Sequence, residues 1–235
     1  MMSEDNTKPL AIAALSGGLD SVVAASIALI DHELALMHIN YGNLTEKREL
    51  KAFHDIADFY EIERRFVSDI DHLRKIGNSS LTDRNIPIEK YDPEKTGIPQ
   101  TYVPFRNANI LSVAVSWGEA IGAHSIFVGM MEEDSAGYPD CTEDFINAFN
   151  NMVRVGTRPE TEIALVAPLI HMSKGEVVKR GMELGAPLDL TWSCYQNEEI
   201  ACGICESCFL RLKGFEAAGV EDPIEYSNGK ERISS

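Results

Sequence analysis

The segment formed by residues 10–30 constrains the fold of this chain more than any other part of it. Residues 10–15 are a short apolar run, residues 16–21 read SGGLDS, and residues 19–30 have the spacing of a helix. The apolar run predicts a buried strand, and the glycine pair predicts a tight turn between that strand and the helix. A strand that leads through a turn directly into a helix is the first half of a βαβ unit.

The same alternation continues along the chain. Residues 34–39 predict a second strand, residues 46–60 a second helix, and Arg65 begins a third candidate strand. Residues 68–105 are rich in turn formers, and we expect a long excursion over the sheet. The later expectations are a helix at 107–123, a strand at 125–129, a helix at 143–155, a strand at 164–166, a helix opened by a capping box of Ser173 and Glu176 and ending near 184, and a helix at 206–218 followed by a frayed acidic tail.

This order of elements predicts an α/β fold with a doubly wound, mostly parallel sheet. We expect residues 1–235 to form one domain, with a C-terminal zinc-binding helical segment at about 190–219.

The net charge argues against some classes of partner. The formal charge is −16 at pH 7, whereas a nucleic-acid interface needs a basic face. We therefore expect no direct nucleic-acid partner, although an acidic chain can still contain a basic pocket for a nucleotide. Apolar runs such as residues 22–30 are too short to span a bilayer, and the first residues lack a signal-peptide pattern. We expect a cytoplasmic protein with no membrane partner.

The loop at residues 16–21 predicts a site for phosphate groups. Its two glycines let the backbone approach a ligand, and the free N–H groups at the helix start favour an anion. Ser16 and Ser21 can add hydroxyl donors, and Asp20 can hold a Mg²⁺ ion that bridges phosphates. The loop lacks the Lys-Ser/Thr pair of the Walker motif and the G-x-G-x-x-G of dinucleotide-binding folds. The alternative is an ordinary Gly-Gly turn before a helix.

The run at residues 16–21 matches S-G-G-x-D-S, the PP-loop of the ATP pyrophosphatase superfamily. This resemblance implies an adenine-nucleotide α-hydrolase-like fold and cleavage of ATP between its α- and β-phosphates. It also implies that adenine lies against the ends of the first two strands, although the side chains there are equally well explained as core. The nucleotide-binding candidates are Leu15, Ser16, Gly17, Gly18, Leu19, Asp20, Ser21, His38 and Asn40.

A cluster of cysteines predicts a metal site. Cys194, Cys202, Cys205 and Cys208 form a C-x7-C-x2-C-x2-C pattern, which suits four thiolates around a structural Zn²⁺ ion. An iron–sulfur cluster is the rival interpretation. The fifth cysteine, Cys141, stands apart and is interpreted as a small buried hydrophobic residue.

Four motifs together resemble the QueC family of 7-cyano-7-deazaguanine synthases. They are the PP-loop, residues 101–107 (TYVPFRN), Asp134 with residues 137–141 (GYPDC), and residues 191–195 (TWSCY) with the later cysteines, and they spread from residue 12 to residue 219. The resemblance implies that ATP adenylates 7-carboxy-7-deazaguanine, that ammonia displaces AMP to give an amide, and that a second ATP converts the amide to the nitrile. It also implies a homodimer with a structural zinc in each subunit.

The resemblance implies roles for particular residues. The candidate catalytic residues are Ser16, Asp20, Ser21, Arg106 and Lys174, and the candidate substrate-binding residues are Phe105, Arg106, Asn107, Asp134, Tyr138, Asp140 and Arg158. Arg106 can pair with a phosphate or the substrate carboxylate, and a carboxylate can accept from a guanine-like N1–H and exocyclic amine. Thr142 stands where the family often has arginine, and Arg158 is the candidate replacement.

Three other functions compete with this interpretation. A QueC-like ligase that stops at the amide, or that transfers the activated deazaguanine to a protein amine, would carry the same motifs. A tRNA-modifying PP-loop enzyme would need a basic surface that this acidic chain lacks. A non-catalytic nucleotide sensor would not need to keep Asp20.

Overall fold

The central element of the fold is a five-stranded, all-parallel sheet. The structure is a computed structural model, and it describes residues 8–92, 94, 97–133 and 137–227. The strands lie in the order β3-β2-β1-β4-β5. In the central register, Ala13 of β1 is opposite Leu36 of β2 on one side and Phe127 of β4 on the other. The strands are β1 (Leu10–Ala14), β2 (Glu33–Asn40), β3 (Arg65–Asp69), β4 (Ser125–Phe127) and β5 (Ala164–Val166).

Helices cover both faces of the sheet. Because side chains alternate along a strand, Ala11 and Ala13 of β1 pack with α1 and α2, whereas Ile12 packs with α4 and α5 on the other face. The remaining long helices, α6 and α7, pack against α1. The helices are α1 (Leu19–Asp31), α2 (Glu46–Phe59), α3 (His72–Ile76), α4 (Arg106–Ile121), α5 (Glu143–Gly156), α6 (Lys174–Glu183) and α7 (Glu206–Ala218). The predicted doubly wound α/β fold is confirmed.

The strand order places a crevice between β1 and β4. Crossovers run from β1 through β2 to β3 in one direction and then to β4 and β5 in the other, so the loops after β1 and β4 leave the sheet to opposite sides. The glycine loop follows β1 at this point, and Gly129 follows β4 beside it. A Cβ atom on Gly129 would lie 2.5 Å from the backbone nitrogen of Ser21, so only glycine lets the first turn of α1 sit this close.

The predicted boundaries agree closely with the structure at β5 and α7, and the capping box of Ser173 and Glu176 is present at the start of α6. The long excursion contains the short helix α3. The expected frayed tail was wrong for residues 222–227. Asp222 and Tyr226 are buried there, and Tyr226 bridges to Ala201 of the cysteine segment.

None of the helices in the described ranges is long and apolar enough to cross a lipid bilayer.

The contact at Gly129 predicts the effect of adding one methyl group. We expect Gly129→Ala to lower the free energy of unfolding by about 1–3 kcal/mol, because the methyl must displace backbone atoms of Asp20 and Ser21. Urea unfolding measures the change. Gly156→Ala, whose methyl meets open space at the end of α5, should leave the stability unchanged or slightly higher. Equal effects of the two substitutions would contradict the close contact at Gly129.

Candidate active site

A cavity of about 300 Å³ lies at the carboxyl ends of β1, β2 and β4. Its lining includes the glycine loop, the first turn of α1 and the beginnings of α4, α6 and α7. Crevices at the carboxyl ends of parallel strands, where the strand order reverses, are the usual ligand sites of open α/β sheets. The arrangement therefore brings motifs from distant parts of the chain to one place.

The glycine loop is held in a shape that exposes its backbone. Gly17 has φ of 88°, and a Cβ atom on it would lie 2.7 Å from the carbonyl oxygen of Glu49, so both conformation and space require glycine. The Ser16 hydroxyl accepts from the backbone N–H of Gly18 at 3.2 Å and donates to Ser21 Oγ at 3.1 Å. A loop ordered by these bonds at the start of α1 is suited to bind an anion.

Lys174 and Asp20 form an ion pair in the wall of the cavity. The Lys174 Nζ atom lies 2.8 Å and 2.9 Å from the two carboxylate oxygens of Asp20. Lys174 is the first residue of α6, and its stem passes α7 at Gly214, where a Cβ atom would lie 2.3 Å from Lys174 Cγ. The close packing of α6 on α7 therefore directs the ammonium group to the first turn of α1.

Arg106 supplies a second cation at the beginning of α4. Its guanidinium lies over the ring of Tyr41, with 5.3 Å between Cζ and the ring centroid, and also contacts the side-chain oxygen of Asn107. Burial lowers the pKa of Arg106, but the nearby Tyr41, Cys141, Tyr195 and Asp140 outweigh burial and raise it overall. The guanidinium is thus a permanent positive charge in the cavity.

The four clustered cysteines form a compact site for a metal ion. Cys194, Cys202, Cys205 and Cys208 are all buried, and their sulfur atoms lie within 4.8 Å of one another. Backbone N–H groups point at the sulfurs, for example from Cys205 to Cys202 Sγ at 3.3 Å. Four sulfurs at this separation and with N–H donors fit a tetrahedral ion bound by thiolates, so the donor set suits zinc.

Comparison with known proteins identifies the family. The family model described as queuosine biosynthesis protein QueC matches residues 10–219. The chain belongs to the QueC family. A protein of Chloroherpeton thalassium named 7-cyano-7-deazaguanine synthase is 54% identical over 217 residues, which cover 92% of this chain and 96% of that protein.

Other QueC relatives carry the same name. A protein of Chlorobium phaeobacteroides is 54% identical over 224 residues, covering 95% of this chain and 99% of the relative. A protein of Nautilia profundicola is 52% identical over 217 residues, covering 92% of this chain and 97% of the relative. Both are named 7-cyano-7-deazaguanine synthase.

Most of the residues predicted from the QueC resemblance line the cavity. They are Leu15, Ser16, Gly18, Leu19, Asp20, Ser21, His38, Arg106, Asn107, Tyr138 and Lys174. Gly17 is not part of this lining, but its close contact with the backbone of Glu49 helps to fix the conformation of the loop.

Four predicted residues lie outside the cavity lining. Asp140 is buried and accepts from the backbone N–H of Asn107 at 3.0 Å, so its carboxylate caps α4. Asn40 donates to Asp69, and Phe105 is 60% exposed. Arg158 binds Glu119 near the far end of α4. None of these four contributes to the described lining. Asp134 lies outside the described residues.

His38 contributes an uncharged ring to the cavity wall. Its Nδ1 atom lies 2.9 Å from the carbonyl oxygen of Leu15, and burial lowers the pKa of the ring. The imidazole therefore adds no positive charge to the cavity near pH 7.

Two carboxylates of the cavity were missed from the sequence. Glu49 lies on α2, and its Oε1 atom accepts from Thr45 Oγ1 at 2.8 Å and from Asn43 Nδ2 at 2.7 Å. Burial raises the pKa of Glu49 to about 7. Glu206 begins α7, and its Oε2 atom lies 3.5 Å from the hydroxyl of Tyr138. Both occur on helices where a glutamate is normally exposed, so no local pattern distinguishes them.

A buried ion pair connects the cysteine segment to the glycine loop. Arg211 on α7 is 1% exposed and binds both carboxylate oxygens of Asp222, at 2.7 Å and 2.9 Å. It also donates to Thr191 Oγ1 at 2.6 Å. The next residue, Trp192, donates its backbone N–H to the Gly17 carbonyl at 2.8 Å. The order of the loop therefore depends in part on the C-terminal residues.

This connection predicts a large loss of stability when the pair is broken. We expect Asp222→Ala to lower the free energy of unfolding by about 3–5 kcal/mol, because Arg211 would be left as an unpaired buried charge. Urea unfolding measures the loss. Asp189→Ala removes an exposed carboxylate from the same region and should change little. A loss no larger than that of the Asp189 variant would contradict the role given to the ion pair.

Proposed function

We propose that this protein is a 7-cyano-7-deazaguanine synthase, which uses ATP and ammonia to convert 7-carboxy-7-deazaguanine into the nitrile. One observation carries the proposal: the PP-loop, Arg106, Tyr138 and Lys174 converge on a single cavity in a chain of the QueC family. We treat residues 1–235 as one PP-loop domain with a metal-binding segment at about 190–219.

The first requirement of the reaction is to turn a carboxylate into a compound that ammonia can attack. Transfer of AMP to the carboxylate oxygen provides a good leaving group, with pyrophosphate as the other product. We propose that the backbone N–H groups of residues 17–19, with Ser16 and Ser21, hold the phosphates of ATP. Lys174 would stabilise the negative charge that develops on the departing pyrophosphate.

Asp20 is the residue that would hold magnesium. Its carboxylate binds the ammonium of Lys174 through both oxygens and is part-buried at the start of α1, which supports a role in holding a cation. When bound, a Mg²⁺ ion would neutralise phosphate charge as the α–β bond breaks.

We propose that the deazaguanine occupies the part of the cavity between α4 and α7. Arg106 would pair with the substrate carboxylate and so present it to the α-phosphate. Tyr138 and Glu206 lie together there, and a carboxylate can accept from both the N1–H and the exocyclic amine of a guanine-like base. The amide formed first would stay in place for the second adenylation.

The cysteine site would have a structural role. Four cysteine ligands leave no coordination position for water or substrate, so we propose that zinc orders the segment that leads into α7. By the same family resemblance, we propose that the protein forms a homodimer, which light scattering after size-exclusion chromatography tests.

Product analysis tests the proposed function. Incubation with 7-carboxy-7-deazaguanine, Mg-ATP and ammonium should give 7-cyano-7-deazaguanine, AMP and pyrophosphate by mass spectrometry. If only the amide accumulated, the protein would still be an enzyme that adenylates the carboxylate, but its end product would be the amide. If AMP formation did not depend on the deazaguanine, the proposal would be wrong.

Asp20→Asn should reduce the formation of pyrophosphate by roughly 100-fold or more, since the magnesium ligand and the Lys174 partner are both lost. Release of pyrophosphate in the presence of 7-carboxy-7-deazaguanine measures the effect. The matched control is Asp31→Asn, which changes an exposed carboxylate at the other end of the same helix and should retain full activity.

Metal analysis of the purified protein should find one zinc ion per chain. Cys205→Ser should lose that zinc and unfold at a lower temperature, because a charged four-sulfur site has lost a ligand. Cys141→Ser, at the cysteine outside the cluster, should keep its zinc. Iron with visible absorbance in place of zinc would instead establish an iron–sulfur cluster.

A further inference from the structure

The proposed reaction releases protons from nitrogen at several points, and the inference below rests on that proposed function. Ammonia is mostly ammonium near pH 7, and ammonium has no lone pair with which to attack. After the attack, the nitrogen must lose further protons before it becomes part of a nitrile. The cavity therefore needs a group that can accept a proton close to the substrate carbon.

The residues already given roles are poorly suited to this task. Lys174 and Arg106 are cations, and the carboxylates of Asp20 and Glu206 are assigned to Mg²⁺ and to the substrate base. His38 also lines the cavity, but burial lowers the pKa of its ring, which makes it a weak base, and its Nδ1 atom is bound to Leu15. A different side chain is needed.

Glu49 lies in the same wall of the cavity as the phosphate loop. Its backbone carbonyl is the atom that a Cβ on Gly17 would approach to 2.7 Å, so α2 and the loop are in direct contact. One carboxylate oxygen, Oε1, is fixed by both Asn43 and Thr45. Among the described residues, no hydrogen bond to Oε2 is found, which leaves that oxygen available to a ligand.

The surroundings of Glu49 make it able both to take and to release a proton. Burial raises the pKa of its carboxyl, and the neighbouring Glu46 on α2 raises it further, whereas the cation of Arg106 on α4 and the bonds from Thr45 and Asn43 lower it. Tyr41, which follows β2, adds no charge, since burial raises its pKa to about 12, even further above neutral pH than usual. The balance leaves the pKa of Glu49 at about 7, close to the value that suits a general base in neutral solution.

We propose that Glu49 is the proton acceptor of the amine-transfer and nitrile-forming steps, and that its free oxygen binds the incoming ammonium. Ammonium gives one proton to Glu49, and the released lone pair forms the C–N bond at the adenylated carbon. The C–O bond to AMP breaks, and its electron pair leaves on AMP. Glu49 then releases the first proton to solvent. Once ionised again, it accepts the second surplus proton from the nitrogen.

The same residue completes the second half of the reaction. Adenylation of the amide oxygen leaves two protons on the nitrogen. Loss of the first proton leaves its electron pair on nitrogen as a lone pair, and the C=N bond of the adenylated amide remains. Loss of the second proton supplies the one electron pair that converts C=N into C≡N, while the C–O bond breaks and its electron pair leaves on AMP. Each half of the reaction thus delivers two protons through one carboxylate and needs no further reactant.

Glu49→Gln is the test variant, because its side-chain oxygen can still accept from Asn43 and Thr45 while the base is lost. We expect nitrile formation with ammonium to fall by about 100- to 1,000-fold. ATP–pyrophosphate exchange supported by 7-carboxy-7-deazaguanine, without ammonium, should be unchanged, which also shows that the variant folds. Asp58→Asn makes the same change of charge at an exposed position of α2 and should leave both activities intact.

Two further measurements separate proton transfer from a packing role. With hydroxylamine, which is uncharged at neutral pH, only the second proton transfer remains, so the variant should lose much less hydroxamate formation than it loses nitrile formation with ammonium. Starting from the amide and ATP, the wild-type rate should rise as the pH increases through about 7, since Glu49 must be ionised to accept a proton. The Glu49→Gln variant should lack this rise.

Three results would overturn the inference. They are nitrile formation by Glu49→Gln at the wild-type rate, an equal loss of pyrophosphate exchange, and an equal loss with hydroxylamine. Failure of the proposed function would appear separately, as a wild-type protein that makes no nitrile, and it would remove the basis of the inference as well.

Discussion

The backbone of Gly17 is the point on which the rest of the site depends. At this residue the chain turns out of β1 with φ of 88°, α2 approaches so closely that no side chain fits, and Trp192 donates its N–H to the carbonyl. Three parts of the chain that are distant in sequence therefore meet on one peptide unit. Because a parallel sheet brings its carboxyl ends to one edge, the same turn also faces the ends of β2 and β4.

Electrostatics divides the molecule into an acidic exterior and a cavity with fixed cations. The net charge is −16, yet Lys174, Arg106 and Arg211 all line the cavity, and the start of α1 adds the positive end of its dipole. Lys174 and Arg211 are paired with aspartates, so Arg106 is the cation whose charge is least compensated. Walls of low polarity strengthen the field of these groups on a small anion. An interior of this kind suits ATP and a carboxylate substrate, whereas the surface charge disfavours a polyanion such as tRNA.

The C-terminal segment explains how the four-cysteine site can support the cavity. The cysteine cluster is joined to residues 222–227 by backbone bonds at Ala201, and Asp222 in that segment pairs with Arg211. Arg211 in turn holds Thr191, which directly precedes the residue bonded to Gly17. Because these hydrogen bonds are buried, the position of the cysteine segment helps to fix the position of the glycine loop. Helix α7 also carries Glu206 and the Gly214 contact that guides Lys174.

The sequence by itself determined the features that local pattern controls. The strand–helix alternation, the glycine loop, the capping box of Ser173 and the spacing of the cysteines each depend on residues close together in the chain, so the fold and the main ligand groups followed from them. Tertiary structure alone decided which polar residues became buried. Glu49 has a raised pKa because it is buried, Asp140 caps α4, and residues 222–227 pack on the domain because Asp222 pairs with Arg211. Burial and pairing of charges depend on long-range neighbours, and those are set only when the helices pack on the sheet.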